Sequence, residues 1–288
     1  MARAAALLEL ARPAQWIKNG FVLLPLFFGH ALLDPRALRD TLIATLAFCL
    51  ASSAVYAFND VRDAARDRLH PHKCRRPLAR GALDTRTATL FAVALAIIAL
   101  VLGALVGAAM VAVLAGYFLL QVGYSAGLKR IAWLDVILVA SGFALRIIAG
   151  GIAADVPLTS WILVMGFLLA LMLALGKRHG DLVHVGDANA RATRGYSVRS
   201  IEWVLAGLGA AVIVAYVFYT QAPEVIARHA HNPLVFSTPW VALGVLRHLY
   251  LVFRHGSGGD PSRLALRDPV LLIAVAGWLA TLAWILYR

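Results

Sequence analysis

The chain has 288 residues, of which 61% are hydrophobic and only 15% are Asp, Glu, Lys or Arg. Soluble domains average about 45–50% apolar and 25% charged residues, so these values exclude an ordinary soluble domain, a disordered chain, a coiled coil and a disulfide scaffold. The net charge of +12 is better explained by the basic residues that collect in cytoplasmic loops of membrane proteins than by nucleic-acid binding.

Apolar stretches of about the length of a membrane-spanning helix follow one another along the whole chain. They cover residues 20–33, 38–58, 86–105, 109–127, 132–153, 158–176, 203–220, 235–253 and 269–287. We therefore expect an all-α, polytopic membrane protein with nine transmembrane helices. No soluble domain separates the stretches, so we expect one transmembrane domain over residues 1–288.

The basic residues are distributed unevenly between the two predicted membrane faces. With nine spans and a cytoplasmic N-terminus, the cytoplasmic segments hold 21 of the 27 Lys and Arg residues, and the outer segments hold 4. Because positive residues favour the cytoplasmic side, this predicts a cytoplasmic N-terminus and an outer C-terminus. The two long polar loops, 59–86 and 177–202, are then cytoplasmic, and we expect the chemistry to face the cytosol.

An acidic stripe follows the second predicted span. On a helix that continues from this span, Asp60, Asp63 and Asp67 share one face within about 60°, and Asn59 lies beside Asp63. Like charges at this spacing repel, and their desolvation near a membrane is costly. The stripe therefore predicts bound cations, and hard oxygen ligands suit Mg²⁺, which binds a few carboxylates together with substrate phosphates.

A basic loop comes next, and it includes Lys73 and Arg76. Basic residues beside a metal-binding acidic face suit an anionic ligand that carries the metal ions. The alternative interpretation is a solvated helix end that Arg62 and Arg66 neutralise. That interpretation leaves unexplained why the acids directly follow a long apolar span.

The pattern Asn-Asp-x-x-Asp-x-x-x-Asp at 59–67, followed by His-Pro-x-Lys-x-x-Arg-Pro at 70–77, resembles the first signature of the UbiA-type intramembrane transferase superfamily. The resemblance implies nine helices around a cytosol-facing cavity, with a Mg²⁺-bound diphosphate as leaving group. Residues 12–19, Arg-Pro-Ala-Gln-Trp-Ile-Lys-Asn, also resemble one branch, the polyprenyl-phosphate phosphoribosyltransferases.

A second group of polar residues lies around the fifth predicted span. Tyr124 and Lys129 resemble the family's second signature, which contacts the diphosphate or the metal shell. By themselves they also fit an interfacial aromatic residue and a snorkelling lysine. Asp135 and Arg146 lie inside the span, where charges are functional candidates, although a purely structural ion pair is the alternative.

The stretch after the sixth span discriminates between branches of the family. Aromatic-acceptor prenyltransferases carry a second Asp-rich motif there, whereas this chain has Lys177, Arg178 and a single acid, Asp181. That pattern resembles the phosphoribosyl branch, as does Arg-Gly-Tyr-Ser at 194–197. Family members often have Glu where Asp181 stands.

The resemblance implies transfer of 5-phosphoribose from phosphoribosyl diphosphate to a decaprenyl-type polyprenyl phosphate in a bacterial-type plasma membrane. The lipid product would feed an arabinose donor for cell-envelope synthesis. The implied catalytic residues are Asp60, Asp63, Asp67 and Lys129, the three acids being ligands of Mg²⁺ or Mn²⁺. The implied substrate-binding residues are Lys18, Asn59, Lys73, Arg76, Tyr124, Asp135, Arg146, Lys177 and Arg178.

Two other functions stay open at the level of sequence. An aromatic prenyltransferase would use the same fold and metal with the diphosphate on the lipid, and a transporter or binding module would lack turnover. Transporters often contain repeated halves, but the acidic stripe has no counterpart in the second half of this chain. Faces rich in small residues permit self-association into a homo-oligomer.

Overall fold

The computed structural model describes residues 2–71, 73–184, 195–228, 234–255, 264 and 267–287. Within these ranges every regular element is a helix. The α-helices are α1 Ala2–Ala11, α2 Leu24–Phe28, α3 Pro35–Asp67, α4 Thr85–Val106, α5 Ala108–Ala126, α6 Leu134–Ala154, α7 Ser160–His184, α8 Val198–Gln221, α9 Pro223–Arg228, α10 Thr238–His255 and α11 Pro269–Tyr287. The 3-10 helices are Pro13–Leu23, Lys73–Arg75, Leu128–Arg130 and Leu234–Ser237.

Eight described helices, α3 to α8 together with α10 and α11, are long and apolar enough to cross a membrane. The predicted all-α, polytopic class is therefore confirmed. The first predicted span, 20–33, is built differently, from the 3-10 helix Pro13–Leu23 and the five-residue α2. This segment is not among the described helices that are long and apolar enough to cross a membrane, so the ninth span stays a prediction.

Helix α3 carries the acidic stripe, as the sequence predicted. It begins after Asp34, whose side chain accepts hydrogen bonds from the backbone N–H groups of Arg36 and Ala37, and Pro35 occupies the first turn. Its 33 residues extend about 50 Å, well beyond the hydrocarbon thickness of about 30 Å. A helix of this length is long enough for its acidic C-terminal turns to extend beyond the hydrocarbon core of a bilayer.

Residue packing divides the chain into two compact units, and the expectation of a single domain stays a prediction. The first unit contains the chain up to Gly127 together with Leu145–Leu158. Its buried core includes side chains of α3, α4, α5 and α6, among them Phe48, Ala99, Met110, Leu114 and Ala149.

Close helix packing at Gly150 brings α6 against the 3-10 helix of the first unit. A Cβ atom at Gly150 would lie only 2.0 Å from the backbone oxygen of Val22. Glycine is therefore required here for the 3-10 helix to approach α6, and this contact fixes the segment that follows Arg12.

The second unit contains Leu128–Ala144 and the chain from Thr159 onward. Within it α7 packs on α8, and α10 packs on both α8 and α11. The buried side chains that form its core include Met172, Leu175, Ile201, Leu205 and Val252. The continuous helix α6 contributes its first half to this unit and its second half to the first unit.

Candidate active site

The acidic end of α3 contains two buried carboxylates that share one cation. Asp60 and Asp67 are each only 2% exposed. Nη1 of Arg76 donates to Oδ1 of Asp60 at 3.0 Å and to Oδ2 of Asp67 at 2.6 Å. Because a buried carboxylate is strongly destabilising without a positive or hydrogen-bonding partner, Arg76 accounts for the burial of both acids.

A second arginine contacts the same site, and the sequence analysis gave it no role. Nη2 of Arg12 donates to Oδ1 of Asp60 at 2.6 Å and to Oδ2 at 2.8 Å. The guanidinium of Arg12 also lies over the ring of Tyr56, 5.1 Å from its centroid, in a cation–π contact. The motif at 12–19 marked this segment, but nothing in the spacing indicated that its first residue would reach Asp60.

The other predicted members of this site have different partners. Asp63 forms an ion pair with Arg66 at 2.9 Å, and its side chain is 22% exposed. The amide oxygen of Asn59 accepts a hydrogen bond from the Ser125 hydroxyl at 2.7 Å. The structure thus brings Asp60 and Asp67 together, whereas Asp63 faces Arg66.

The donor set at the end of α3 fits a hard divalent cation. No group of three His, Cys, Asp or Glu side chains in the described part of the chain lies close enough to hold a metal ion. Mg²⁺, however, commonly takes one or two carboxylates and completes its shell with water and substrate phosphate oxygens. The convergence of Asp60 and Asp67 on one cationic nitrogen supplies such a pair.

The loop that follows α3 brings Lys73 near this acidic pair. Burial, and then the positive charge of Arg76, lower the pKa of the Lys73 ammonium below its ordinary value. The other charged groups that act on it are Asp67, Arg66 and Asp63. Lys73 is thus a partly buried cation beside the acidic pair, and its predicted contact with an anionic ligand stays a prediction.

Helix α1 is anchored to this loop at its exposed edge. Arg80 donates from Nη1 and Nη2 to the two carboxylate oxygens of Glu9, at 3.1 and 2.8 Å. Arg80 also donates to the backbone oxygen of Arg75 at 2.7 Å. At the end of α1, the Ser53 hydroxyl donates to the backbone oxygen of Ala11 at 2.7 Å. These contacts fix the end of α1, immediately before Arg12.

Arg146 is buried in the core of the first unit, at 6% exposure. Its Nε donates to the amide oxygen of Asn19 at 2.7 Å, and its guanidinium lies 5.1 Å from the ring centroid of Tyr117 and 5.5 Å from that of Phe48. The predicted contact of Arg146 with substrate stays a prediction. Its hydrogen bond to Asn19 holds the 3-10 helix that carries Lys18, which is itself partly buried.

The second unit contains its own buried ion network. Asp135, only 1% exposed, accepts from Nε and Nη2 of Arg178, both at 2.7 Å. Nη1 of Arg178 donates to Asp181 at 3.2 Å. The hydroxyl of Tyr196 donates to Asp135 in a short hydrogen bond and accepts from the backbone N–H of Trp133 at 2.8 Å. Asp135 and Arg178, predicted to bind substrate, thus contact each other.

Tyr196 was noted in the sequence only as part of a motif. Burial, together with its hydrogen bond to Asp135, raises the pKa of its hydroxyl, so this group stays protonated and can donate. Arg194, in the same motif, lies outside the described residues. The sequence signal that could have identified the network is an acidic residue, Asp135, at the start of an apolar span.

The remaining predicted residues lie at helix ends. Tyr124 is partly buried in the last turn of α5, in the first unit. Lys129 is partly buried in the 3-10 helix Leu128–Arg130, and Lys177 is exposed on α7, both in the second unit. Their predicted contacts with a diphosphate or a phosphate stay predictions.

Comparison with known proteins identifies the family. The family model described as the UbiA prenyltransferase family matches residues 22–191. The chain belongs to this family. The resemblance inferred from the motif at 59–77 is therefore confirmed.

Within the UbiA family, relatives match this chain over nearly its whole length. The decaprenyl-phosphate phosphoribosyltransferase of Corynebacterium glutamicum is 32% identical, over 99% of this chain and 87% of the relative. The protein of the same name from Mycolicibacterium smegmatis is 32% identical, over 98% and 93%. A solved UbiA homolog from Archaeoglobus fulgidus, bound to GPP and Mg²⁺, has a TM-score of 0.73 at 18% identity and covers 98% of this chain and 100% of its own, which shows that the fold is shared.

The ion network of the second unit leads to a stability prediction. Asp135→Asn should lower the free energy of unfolding by about 3 kcal/mol, because it leaves the largely buried Arg178 guanidinium facing a neutral amide. Denaturant or thermal unfolding of the detergent-solubilised protein measures this change. Asp181→Asn is the matched control, with an expected loss of about 1 kcal/mol, since it removes one longer hydrogen bond. If Asp135→Asn is as stable as the parent chain, Asp135 does not neutralise Arg178.

Proposed function

We propose that this chain transfers 5-phosphoribose from 5-phosphoribosyl 1-diphosphate to a polyprenyl phosphate and releases diphosphate. The support for this substrate pair is the 32% identity, over 99% of the chain, to a protein named decaprenyl-phosphate phosphoribosyltransferase. The sequence Lys-Arg-x-x-Asp at 177–181, where an aromatic prenyltransferase would have a second Asp-rich motif, supports the same choice.

The geometry that carries the proposal is the pair of buried acids, Asp60 and Asp67, surrounded by Arg12, Arg76 and Lys73. A diphosphate chelated to a divalent cation presents positive charge to carboxylates and negative charge to guanidinium and ammonium groups. An interleaved set of two acids and three bases complements both parts of such a ligand.

The reaction breaks the bond between C1 of the ribose and an oxygen of the diphosphate, and it forms a bond between C1 and an oxygen of the acceptor phosphate. Negative charge then grows on the departing diphosphate. Arg76, Arg12 and Lys73 stabilise that charge by donating charge-assisted hydrogen bonds to it. When bound at Asp60 and Asp67, Mg²⁺ would supply Lewis-acid neutralisation of the same leaving group. Asp63, which pairs with Arg66 in the structure, is the proposed third ligand and would have to leave Arg66 to take that role.

The acceptor requires no activated nucleophile from the protein. A phosphate monoester is already an anion near neutral pH, because its second pKa is about 6. Lys18 and Lys177 are the cations that we propose for the acceptor phosphate or the 5-phosphate of the ribose. Direct displacement by the acceptor oxygen inverts the configuration at C1.

The protein is a multi-pass membrane protein with eight candidate spanning helices in its described residues. We propose that its N-terminus is cytoplasmic and its C-terminus lies outside, which places the water-soluble donor and the loop with Lys73 on the same side. The polyprenyl chain then lies in the bilayer. The support for this orientation is the 21-to-4 excess of Lys and Arg on the proposed cytoplasmic side.

Turnover assays test the substrate pair. The purified protein with Mg²⁺ should convert radiolabelled phosphoribosyl diphosphate and polyprenyl phosphate into a labelled lipid, and should not couple prenyl diphosphate to hydroxybenzoate.

The variants Asp60→Asn, Asp63→Asn and Asp67→Asn should each lose about 100-fold or more in kcat/KM, since metal neutralisation of a leaving group contributes several kcal/mol.

Asp84→Asn is the matched control for these variants. Asp84 is an exposed carboxylate that contacts Thr87 and Arg3, and its replacement should leave turnover unchanged. Coupling of prenyl diphosphate to the aromatic acceptor, without ribose transfer, would overturn the proposed substrates.

The lowered pKa of Lys73 predicts a pH dependence. Its ammonium loses a proton at lower pH than an ordinary lysine, and a bound polyanion favours the charged form. Affinity for Mg²⁺–diphosphate should therefore fall as the pH rises through this lowered pKa, and binding should take up a proton there. Lys73→Arg should flatten this change, since a guanidinium stays charged.

Calorimetry with inorganic diphosphate, from neutral to alkaline pH, measures both effects. Comparing the variant with the parent chain cancels the titration of the ligand itself. Identical pH profiles for the two proteins would contradict a role for Lys73 in diphosphate binding.

A further inference from the structure

The contact between Arg12 and Asp60 has the geometry of an exchangeable counter-ion. A single nitrogen, Nη2, lies 2.6 and 2.8 Å from the two carboxylate oxygens, so it straddles the carboxylate where a divalent cation would also bind. The side chain of Arg12 is 27% exposed, whereas that of Asp60 is 3% exposed. Arg12 therefore reaches the buried acid from the accessible side.

Arg12 differs in this respect from Arg76. Arg76 bridges two acids, Asp60 and Asp67, so its departure would leave both with one cation fewer. Arg12 contacts one acid and has a second favourable partner in the ring of Tyr56, 5.1 Å from its guanidinium carbon. Tyr56 lies one turn before Asp60 on α3, so Arg12 can leave the carboxylate and still remain over the ring.

Charge balance indicates when this exchange occurs. Two carboxylates and two guanidinium groups are already neutral together, and the nearby Lys73 adds a further positive charge. A divalent cation that binds alone therefore adds uncompensated positive charge beside these bases. A diphosphate that arrives with the cation supplies the missing negative charge. Arginine donates through five N–H groups in a planar fork, and the contact with Asp60 uses one nitrogen of that fork.

We propose that Arg12 neutralises Asp60 until a metal–diphosphate complex binds, and that its guanidinium then moves from the carboxylate to the diphosphate oxygens. This inference rests on the proposed function, in which Asp60 binds the cation of the donor. It makes Arg12 a competitor of the metal when diphosphate is absent and a ligand of diphosphate when both are present. The same residue thereby couples metal loading to donor binding.

The two roles predict opposite effects of one substitution. In Arg12→Met, Mn²⁺ alone should bind about tenfold more tightly, because one competing ion pair is removed. Inorganic diphosphate should bind about tenfold more weakly to the Mn²⁺-saturated variant. Titration of the purified full chain, followed by the electron paramagnetic resonance signal of free Mn²⁺, measures the first affinity, and calorimetry measures the second.

Arg3→Met is the matched control, since Arg3 lies on α1, is 73% exposed and contacts Asp84 rather than the acidic pair. It removes the same formal charge and should change neither affinity. Asp60→Asn should weaken Mn²⁺ binding, which would show that the Mn²⁺ ion followed in the titration binds at Asp60. Arg12→Gln replaces Arg12→Met if the latter does not fold, with the same two shifts expected.

The proposal is overturned if Mn²⁺ alone binds the Arg12 variants no more tightly than the parent chain, or if Asp60→Asn leaves Mn²⁺ binding intact. Neither measurement needs turnover, so the exchange of Arg12 and the proposed phosphoribosyl transfer can be rejected separately. Opposite shifts without ribose transfer would reject the proposed substrates and retain the exchange. Ribose transfer without the tighter Mn²⁺ binding would reject the exchange alone.

Discussion

Burial of negative charge at the end of a membrane-spanning helix is the constraint on which the candidate site depends. Asp60 and Asp67 are withdrawn from water, and an isolated carboxylate in such surroundings would take up a proton or unfold the helix end. In the structure Asp60 forms ion pairs with Arg12 and Arg76, and Asp67 forms one with Arg76. In the proposed function, these carboxylate oxygens bind a divalent cation together with its phosphate ligand.

The second unit also contains a buried carboxylate that is compensated by cationic and hydrogen-bonding partners. Asp135 is buried at the start of α6 and is compensated by Arg178 and by the Tyr196 hydroxyl. Because Arg178 also contacts Asp181, its charge is shared between two acids. The Lys-Arg-x-x-Asp pattern at 177–181 therefore separates two roles. Arg178 pairs with two acids inside the unit, whereas Lys177 is exposed on α7 and its contact with a phosphate is part of the proposed function.

Local patterns in the sequence predicted what local physics determines. The apolar runs predicted nine spans, of which eight are long helices in the described residues. The 3.6-residue period predicted that Asp60, Asp63 and Asp67 would share a face, and the structure brings Asp60 and Asp67 together while Asp63 pairs with Arg66. The partners could not be predicted, because Arg12 precedes Asp60 by 48 residues and Arg178 follows Asp135 by 43. Contacts at such separations depend on tertiary packing, which cannot be predicted from the local spacing of residues along the sequence. The 3-10 geometry of residues 13–23 was missed because hydropathy reports composition and not hydrogen bonding.

A double-mutant cycle on Asp67 and Arg76, with unfolding measured in a chelating buffer, tests the central claim most directly. If the buried acid requires the guanidinium, Arg76→Met should destabilise the chain, and adding Asp67→Asn should restore part of the loss. The coupling free energy should be about 1–3 kcal/mol. Strictly additive effects of the two substitutions would contradict the account, since they would show that the buried carboxylate is stable without its cation.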